Sequence, residues 1–217
     1  MSSASLASPE PQSRPVDVRR GRRTLALLAF VCLLPVAASY AMFYLWPPQD
    51  RVNHGELIAP LALPSATLAG AAGQPALARD EVEGRWTLLV AGPAACDAVC
   101  ERALYVSRQA RLAQAKEMDR VARLRVLTDD GAVPAAAIAA DELHEDVRLA
   151  RADAAWRASL QGAGLAEGGS GLFLVDPLGN LMMRYADASD TTAHARGVSK
   201  DLQRLLKYSA LGRGGRQ

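Results

Sequence analysis

The hydrophobic pattern is dominated by one stretch, Thr24 to Trp46, which is 23 residues without a charge. About 20 apolar residues suffice to cross the hydrocarbon core of a bilayer as a helix. Arg19, Arg20, Arg22 and Arg23 precede it, and Tyr40, Tyr44 and Trp46 cluster at its far end. Basic residues hold their side in the cytoplasm, and amphipathic rings suit the headgroup layer. Pro35 lies mid-span as a candidate kink, and Pro47-Pro48 end the helix. The pattern predicts a transmembrane anchor over 24–46. A cleaved signal peptide is the rival, with Ser39-Tyr40-Ala41 as a small-x-small site. The apolar run continues through residues 42–46, which favours the anchor. Both readings put residues 47–217 outside the cytoplasm. The expected location is a bacterial inner membrane with the C-terminal part in the periplasm; a mitochondrial inner membrane stays open.

Beyond the anchor, Pro47, Pro48, Pro60, Pro64 and Pro75 with many Ala and Gly predict a linker over 47–80. Residues 81–217 match the usual size of one domain. Trp86 to Ala91 is a short apolar run between Gly84 and Gly92-Pro93, and it predicts a buried strand. Val99, Ala103, Val106, Ala110 and Ala113 form an apolar stripe and predict a helix from near Cys96 to Met118. Leu124–Thr128 predicts a second strand, closed by an Asp129-Asp130-Gly131 turn. The Ala-rich span 135–147 predicts a helix, and 153–160 another capped by Asp153. Leu172–Asp176 and Leu181–Tyr185 predict a hairpin around Pro177-Leu178-Gly179-Asn180. Val198, Leu202, Leu205 and Leu206 give a last helix its apolar face, with Asp201 early and Lys207 late. A βαβ unit gives parallel strands and the hairpin antiparallel ones. The expected class is α/β: a mixed sheet with helices on both faces, the thioredoxin-like arrangement.

Composition narrows this further. The 217 residues are 50% hydrophobic and 22% charged, which excludes a disordered or polytopic chain. Net charge is +2, and residues 47–217 carry 20 Lys and Arg against 21 Asp and Glu. No basic surface for nucleic acid is implied. The first 23 residues, rich in Ser, Pro and Arg, are expected as an irregular cytoplasmic tail.

Three cysteines are too few for a disulfide-built scaffold. Cys32 lies inside the apolar span and reads as a small apolar residue. Cys96 and Cys100 are four apart, where the first strand enters its helix. Helical residues i and i+4 share a face, so both sulfurs can meet one partner. Unpaired N–H groups at a helix start favour a thiolate, and paired soft thiolates suit Cu(I). Asp97 and Glu101 oppose the thiolate. The pair is therefore the candidate catalytic and metal site. An inert disulfide pinning the helix start, or a relic without its job, are the alternatives. The three histidines give no further ligand. His54 falls in the linker, His144 lies among Glu142, Glu145 and Asp146, and His194 stands near the start of the last helix, away from the cysteines. Asp129-Asp130 and Glu145-Asp146 read as solvated pairs. Nothing selects Arg85, Arg102 or Arg184 as site residues.

On these residues the chain resembles the Sco/SenC family, membrane-anchored thioredoxin-like proteins that serve copper delivery and thiol reduction in cytochrome c oxidase assembly. The likeness lies in the single anchor, the first core strand Gly84–Gly92, the Cys96-to-Cys100 spacing, and Leu172–Asn180 with its Asp-Pro-x-Gly turn. Two departures stand out. Asp97 and Glu101 occupy positions where the family usually has Pro. The family's copper-ligand His shortly before the late strand has no counterpart in Gly164–Gly171. The resemblance implies an accessory protein acting at Cys96 and Cys100 on a copper-site subunit of an oxidase, by thiol–disulfide exchange, by handling Cu(I), or both. Two further functions stay open: a general periplasmic thiol oxidoreductase, and a non-catalytic scaffolding module. Against the general enzyme stand the absent CxxC spacing and Ser170-Gly171 in place of a Pro before the late strand.

Overall fold

The computed structural model describes residues 18–45, 53–134 and 146–209. It divides into two units, residues 1–51 and 52–217. The first contains helix α1, Val18–Leu45. Its segment Gly21–Leu45 has a mean hydropathy of 2.2 and is long and apolar enough to cross a membrane. The helix runs through Pro35 and begins at Val18, so Arg19, Arg22 and Arg23 belong to its first turns rather than to an irregular tail. Cys32 is a free thiol on its exposed surface. Trp46, Pro47 and Pro48 lie outside the described residues.

The second unit is built on strands β1 (Glu56–Ala62), β2 (Ala69–Gly70), β3 (Trp86–Gly92), β4 (Val121–Leu127), β5 (Val147–Arg151), β6 (Gly171–Val175) and β7 (Asn180–Tyr185). Helices α2 (Arg79–Val82), α3 (Ala98–Leu112), α4 (Ala154–Gly162) and α5 (Thr191–Tyr208) complete it. One mixed sheet has the order β1-β7-β6-β3-β4-β5-β2. Strands β3, β4 and β5 are parallel, β6 returns antiparallel beside β3, and β7 pairs antiparallel with β6.

All seven residues of β3 are buried because both faces of the strand are covered. Successive side chains point to opposite faces. Leu88 and Val90 pack with Ala103, Val106 and Ala110 of α3 and Val198, Leu202 and Leu206 of α5. Leu89 and Ala91 pack on the other side with Trp156 and Leu160 of α4. Asp153 caps α4 as expected, accepting the Trp156 amide at 2.8 Å. The β6–β7 turn is closed by Asp176, which accepts the amides of Leu178 and Asn180, while Gly179 supplies the left-handed residue at φ 82°.

Three expectations need correction. From residue 56 the linker is part of the domain, because β1 pairs antiparallel with β7 at the sheet edge. Pro60 is tolerated there, since an edge strand can leave one N–H side unpaired. Val147 opens strand β5 instead of ending a helix; residues 135–145 of that predicted helix, with His144, lie outside the described residues. Helix α3, expected to run to Met118, stops at Leu112. Ala115 then takes φ 49° and a 3-10 turn, Ala115–Arg120, leads into β4.

Candidate functional site: the cysteine pair at the β3–α3 junction

Parallel strand β3 delivers the chain at Gly92, and the loop Pro93–Asp97 carries it into α3. Cys96 and Cys100 flank the start of that helix, joined in a disulfide with their Cα atoms 5.3 Å apart. The helix begins two residues later than the sequence pattern places it. Asp97 is its N-cap, so Cys96 sits in the loop and only Cys100 is helical. The pair is thus brought together by a capped turn, not by a shared helix face. Asp97 Oδ1 accepts the Cys100 amide at 2.8 Å, and the Asp97 carbonyl accepts the Glu101 amide at 2.9 Å. Cys100 is 1% exposed and belongs to the core between sheet and helices. Cys96 is half-buried at the edge of that core and offers the pair's accessible side.

The loop ahead of Cys96 is anchored from β4 and its following turn. Asp129 Oδ1 accepts the Ala94 amide at 2.8 Å. The Arg125 guanidinium donates to the carbonyls of Ala94 at 3.0 Å and Pro93 at 3.3 Å. The Thr128 amide donates to the Gly92 carbonyl at 2.9 Å. Sequence reasoning missed these supports. From sequence alone Asp129 reads as solvated and Arg125 carries no role. The legible signal was alternation: Arg123 and Arg125 fall on one face of a strand whose neighbours are buried.

Across the junction, the residue before β6 is Ser170. A Cβ built on Gly92 would lie 2.4 Å from its Oγ, so any side chain there would force Ser170 to shift. Ser170 Oγ is buried without a hydrogen-bond partner. Every described peptide bond is trans. Beside this contact, a small cleft of about 40 Å³ is lined by Val99, Arg102, Ser170, Tyr185, Asp187 and His194 among others. Arg102 and Asp187 form a two-pronged ion pair on its rim, with Nε to Oδ1 at 2.9 Å. That pairing holds the Asp187 carboxyl below its usual range. Of the three arginines without an assigned role, Arg102 therefore faces this cleft. Arg184 instead pairs with Glu56 on the surface.

His194 lies closer to this region than the sequence order suggests. It lines the same cleft as Val99, the neighbour of Cys100, and is 6% exposed. Its Nδ1 is 2.7 Å from His54 Nε2. His54 is not a linker residue. Its amide and that of Gly55 donate to the buried Asp201 carboxylate at 3.1 and 2.9 Å, which ties the start of the domain to α5. Burial, and then the charge of His54, push the His194 pKa down, against Asp187. Burial also pushes the Tyr185 hydroxyl pKa up, with Asp201 adding to it.

Among the described residues no group of three His, Cys, Asp or Glu side chains is placed to hold a metal ion. The soft donors at the junction are the two sulfurs alone, short of a Cys₂His set. Chemically, the arrangement offers a two-electron dithiol–disulfide couple with one accessible sulfur.

The family model of the transmembrane-like, thioredoxin-like C-terminal domain matches residues 86–209, more than half of the chain. The chain belongs to that family. A search of curated proteins returned no match. Among solved structures, this member of the transmembrane-like, thioredoxin-like family is similar to apo Sco1 from Thermus thermophilus. The identity is 20%, over 72% of this chain and 99% of that one, with a TM-score of 0.53. Arabidopsis thaliana ScoI with copper bound follows at 16% identity, 67% and 98% coverage and a TM-score of 0.49. The thioredoxin domain of a thiol-disulfide oxidoreductase from Bacteroides vulgatus has 14% identity, 69% and 99% coverage and a TM-score of 0.48. At such identity the Thermus likeness establishes the fold, which is thioredoxin-like and resembles that of Sco proteins.

Proposed function

We propose that this chain is a membrane-anchored thiol–disulfide exchange protein acting outside the cytoplasm, and that its partner is a copper-site subunit of a respiratory oxidase. One observation carries the exchange chemistry: Cys96 and Cys100 form a disulfide at the β3–α3 junction, with Cys100 buried and Cys96 half-buried. In the reduced state the Cys96 thiolate attacks one sulfur of a partner disulfide, and the other partner sulfur leaves as a thiolate. Cys100 then attacks Cys96 Sγ. This re-forms the Cys96–Cys100 bond and releases the partner as a dithiol, two electrons richer. The reverse sequence oxidises a partner dithiol. The oxidase partner is supported by the likeness of Gly84–Gly92, Cys96–Cys100 and Leu172–Asn180 to the Sco/SenC pattern. The apolar α1 supports the anchor, and the inner membrane is the setting this reading takes.

Capture of Cu(I) as cargo by the reduced pair is the companion reading, because two thiolates suit a soft cation. The departures at Asp97, Glu101 and residues 164–171 make exchange the better supported of the two. The test uses the full chain in detergent, alongside a Cys96→Ser, Cys100→Ser variant. Both are equilibrated in glutathione buffers and titrated with Cu(I). Reversible oxidation by the wild type alone supports exchange, and a Cys100→Ser variant trapping a mixed disulfide at Cys96 assigns the nucleophile. Copper retained only by the wild type supports cargo handling. Indistinguishable behaviour of wild type and double variant overturns both and leaves a scaffold.

A further inference from the structure

We infer that Arg125 is the positioning residue of the cysteine pair, holding the loop ahead of Cys96 and supplying the positive charge that favours the reduced state. The inference rests on the exchange reading. Arg125 is in register with Val90 of β3, and Val90 packs in the same cluster as Cys100. The strand therefore turns the Arg125 side chain to the face where the cysteines lie. The residue is 5% exposed. Among the described residues its hydrogen-bond acceptors are two backbone carbonyls, Pro93 and Ala94, shortly before the cysteine turn.

The contrast with its neighbour on the same face is informative. Arg123, also buried, is neutralised by the Asp146 carboxylate at 2.6 Å. Among the described residues Arg125 has no such ion pair. The charge of Asp129 acts on it without forming an ion pair, and the Oδ1 of that carboxylate accepts the Ala94 amide. Burying a guanidinium without a paired carboxylate is costly. Here the cost falls at the loop that leads into Cys96, since the carbonyls held are those of Pro93 and Ala94, and the charge of the cysteine pair depends on redox state. The disulfide is neutral, whereas the reduced pair can carry a negative sulfur, and a nearby cation favours that form. Asp97, between the two cysteines, and Glu101, next to Cys100, act in the opposite direction. Arg125 is the buried counterweight to them.

The test measures the reduction potential of the full chain in glutathione buffers for wild type, Arg125→Gln and Arg125→Lys. Glutamine keeps a donor for the carbonyls and loses the charge; lysine keeps the charge and loses the planar fork. Arg125→Gln is expected to favour the disulfide about tenfold over wild type, a drop of about 30 mV for a two-electron couple. Arg125→Lys is expected to stay within about threefold of wild type by the same relation. A folded Arg125→Gln protein with the wild-type potential overturns the inference while leaving exchange intact. If Arg125→Gln does not fold, Arg125→Lys decides alone: a tenfold shift in that charge-retaining variant overturns the inference. A wild-type pair that never equilibrates with glutathione fails at the earlier step and takes both down, a different result from the first.

Discussion

The Asp97 carboxylate sits 2.8 Å from the amide of Cys100, so the residue that follows Cys96 is also the cap of the helix that carries Cys100. An acidic cap satisfies a free helix N–H and interacts well with the helix dipole. The same negative charge works against a thiolate nearby. Two substitutions separate these roles. Asp97→Asn keeps the cap and removes the charge. It is expected to leave stability within about 0.5 kcal/mol and to raise the reduction potential of the pair. Asp97→Ala removes both, and is expected to cost about 1 kcal/mol of stability in addition. Urea denaturation and glutathione titration of both variants check this. A potential that falls in Asp97→Asn would contradict it.

Gly197 in α5 supports the ring of His54: a Cβ built there would lie 2.3 Å from the imidazole. Alanine normally stabilises a helix relative to glycine by about 1 kcal/mol. Here Gly197→Ala is expected to destabilise instead, by about 1–3 kcal/mol, the usual cost of overpacking. The ring must move, which breaks the His54–His194 hydrogen bond. The sign of the change in denaturation midpoint decides the matter.

His194 gives the domain a pH dependence. Its pKa is depressed in the folded state, chiefly by burial. The unfolded chain therefore binds more protons as pH falls below about 6.5, the ordinary histidine value. Stability is full above that pH and declines as pH drops toward the lower folded pKa. Urea midpoints measured from pH 8 to pH 5 are expected to fall across this window. His194→Gln is expected to flatten the fall; a slope as steep as wild type in that variant would assign the effect elsewhere.

Asp129 holds the Ala94 amide in the cysteine loop. Asp129→Ala leaves this donor unsatisfied beside a residue with no exposure, and is expected to cost about 1–3 kcal/mol. The loop before Cys96 should then protect its amides less against hydrogen exchange, with α4 and its packing unaffected. Unchanged exchange at Ala94 and Ala95 would refute the anchoring role.

The parts of this fold that local chemistry dictates were legible. The uninterrupted apolar run of β3, the Pro177–Asn180 turn and the Asp153 cap each declare themselves within a few residues. The edge strand β1 was hidden, because Pro60 breaks its pattern and most of its residues are exposed. Strand β5 was hidden because Arg148 and Arg151 interrupt so short a run, and their partners lie in other segments: Glu81 for the first, the Asp129 and Gly131 carbonyls for the second. At the site, spacing identified Cys96 and Cys100. It gave no hint of His54 beside His194, since 140 residues separate them and only the folded sheet brings the start of the domain to α5. Arg125 was readable in principle from strand alternation, yet nothing short of the β3–β4 register shows what it holds.

The unequal burial of the two sulfurs also shapes what peroxide can do to this protein. An oxidant arriving from solvent meets Cys96 and not Cys100, which is 1% exposed. Sulfenic acid formed at Cys96 has a neighbouring thiol ready to displace water and close the disulfide, ahead of the irreversible sulfinic step. Under the exchange reading, the asymmetry proposed to set the direction of attack also favours disulfide closure over overoxidation, leaving an oxidised protein that a reductant can recover.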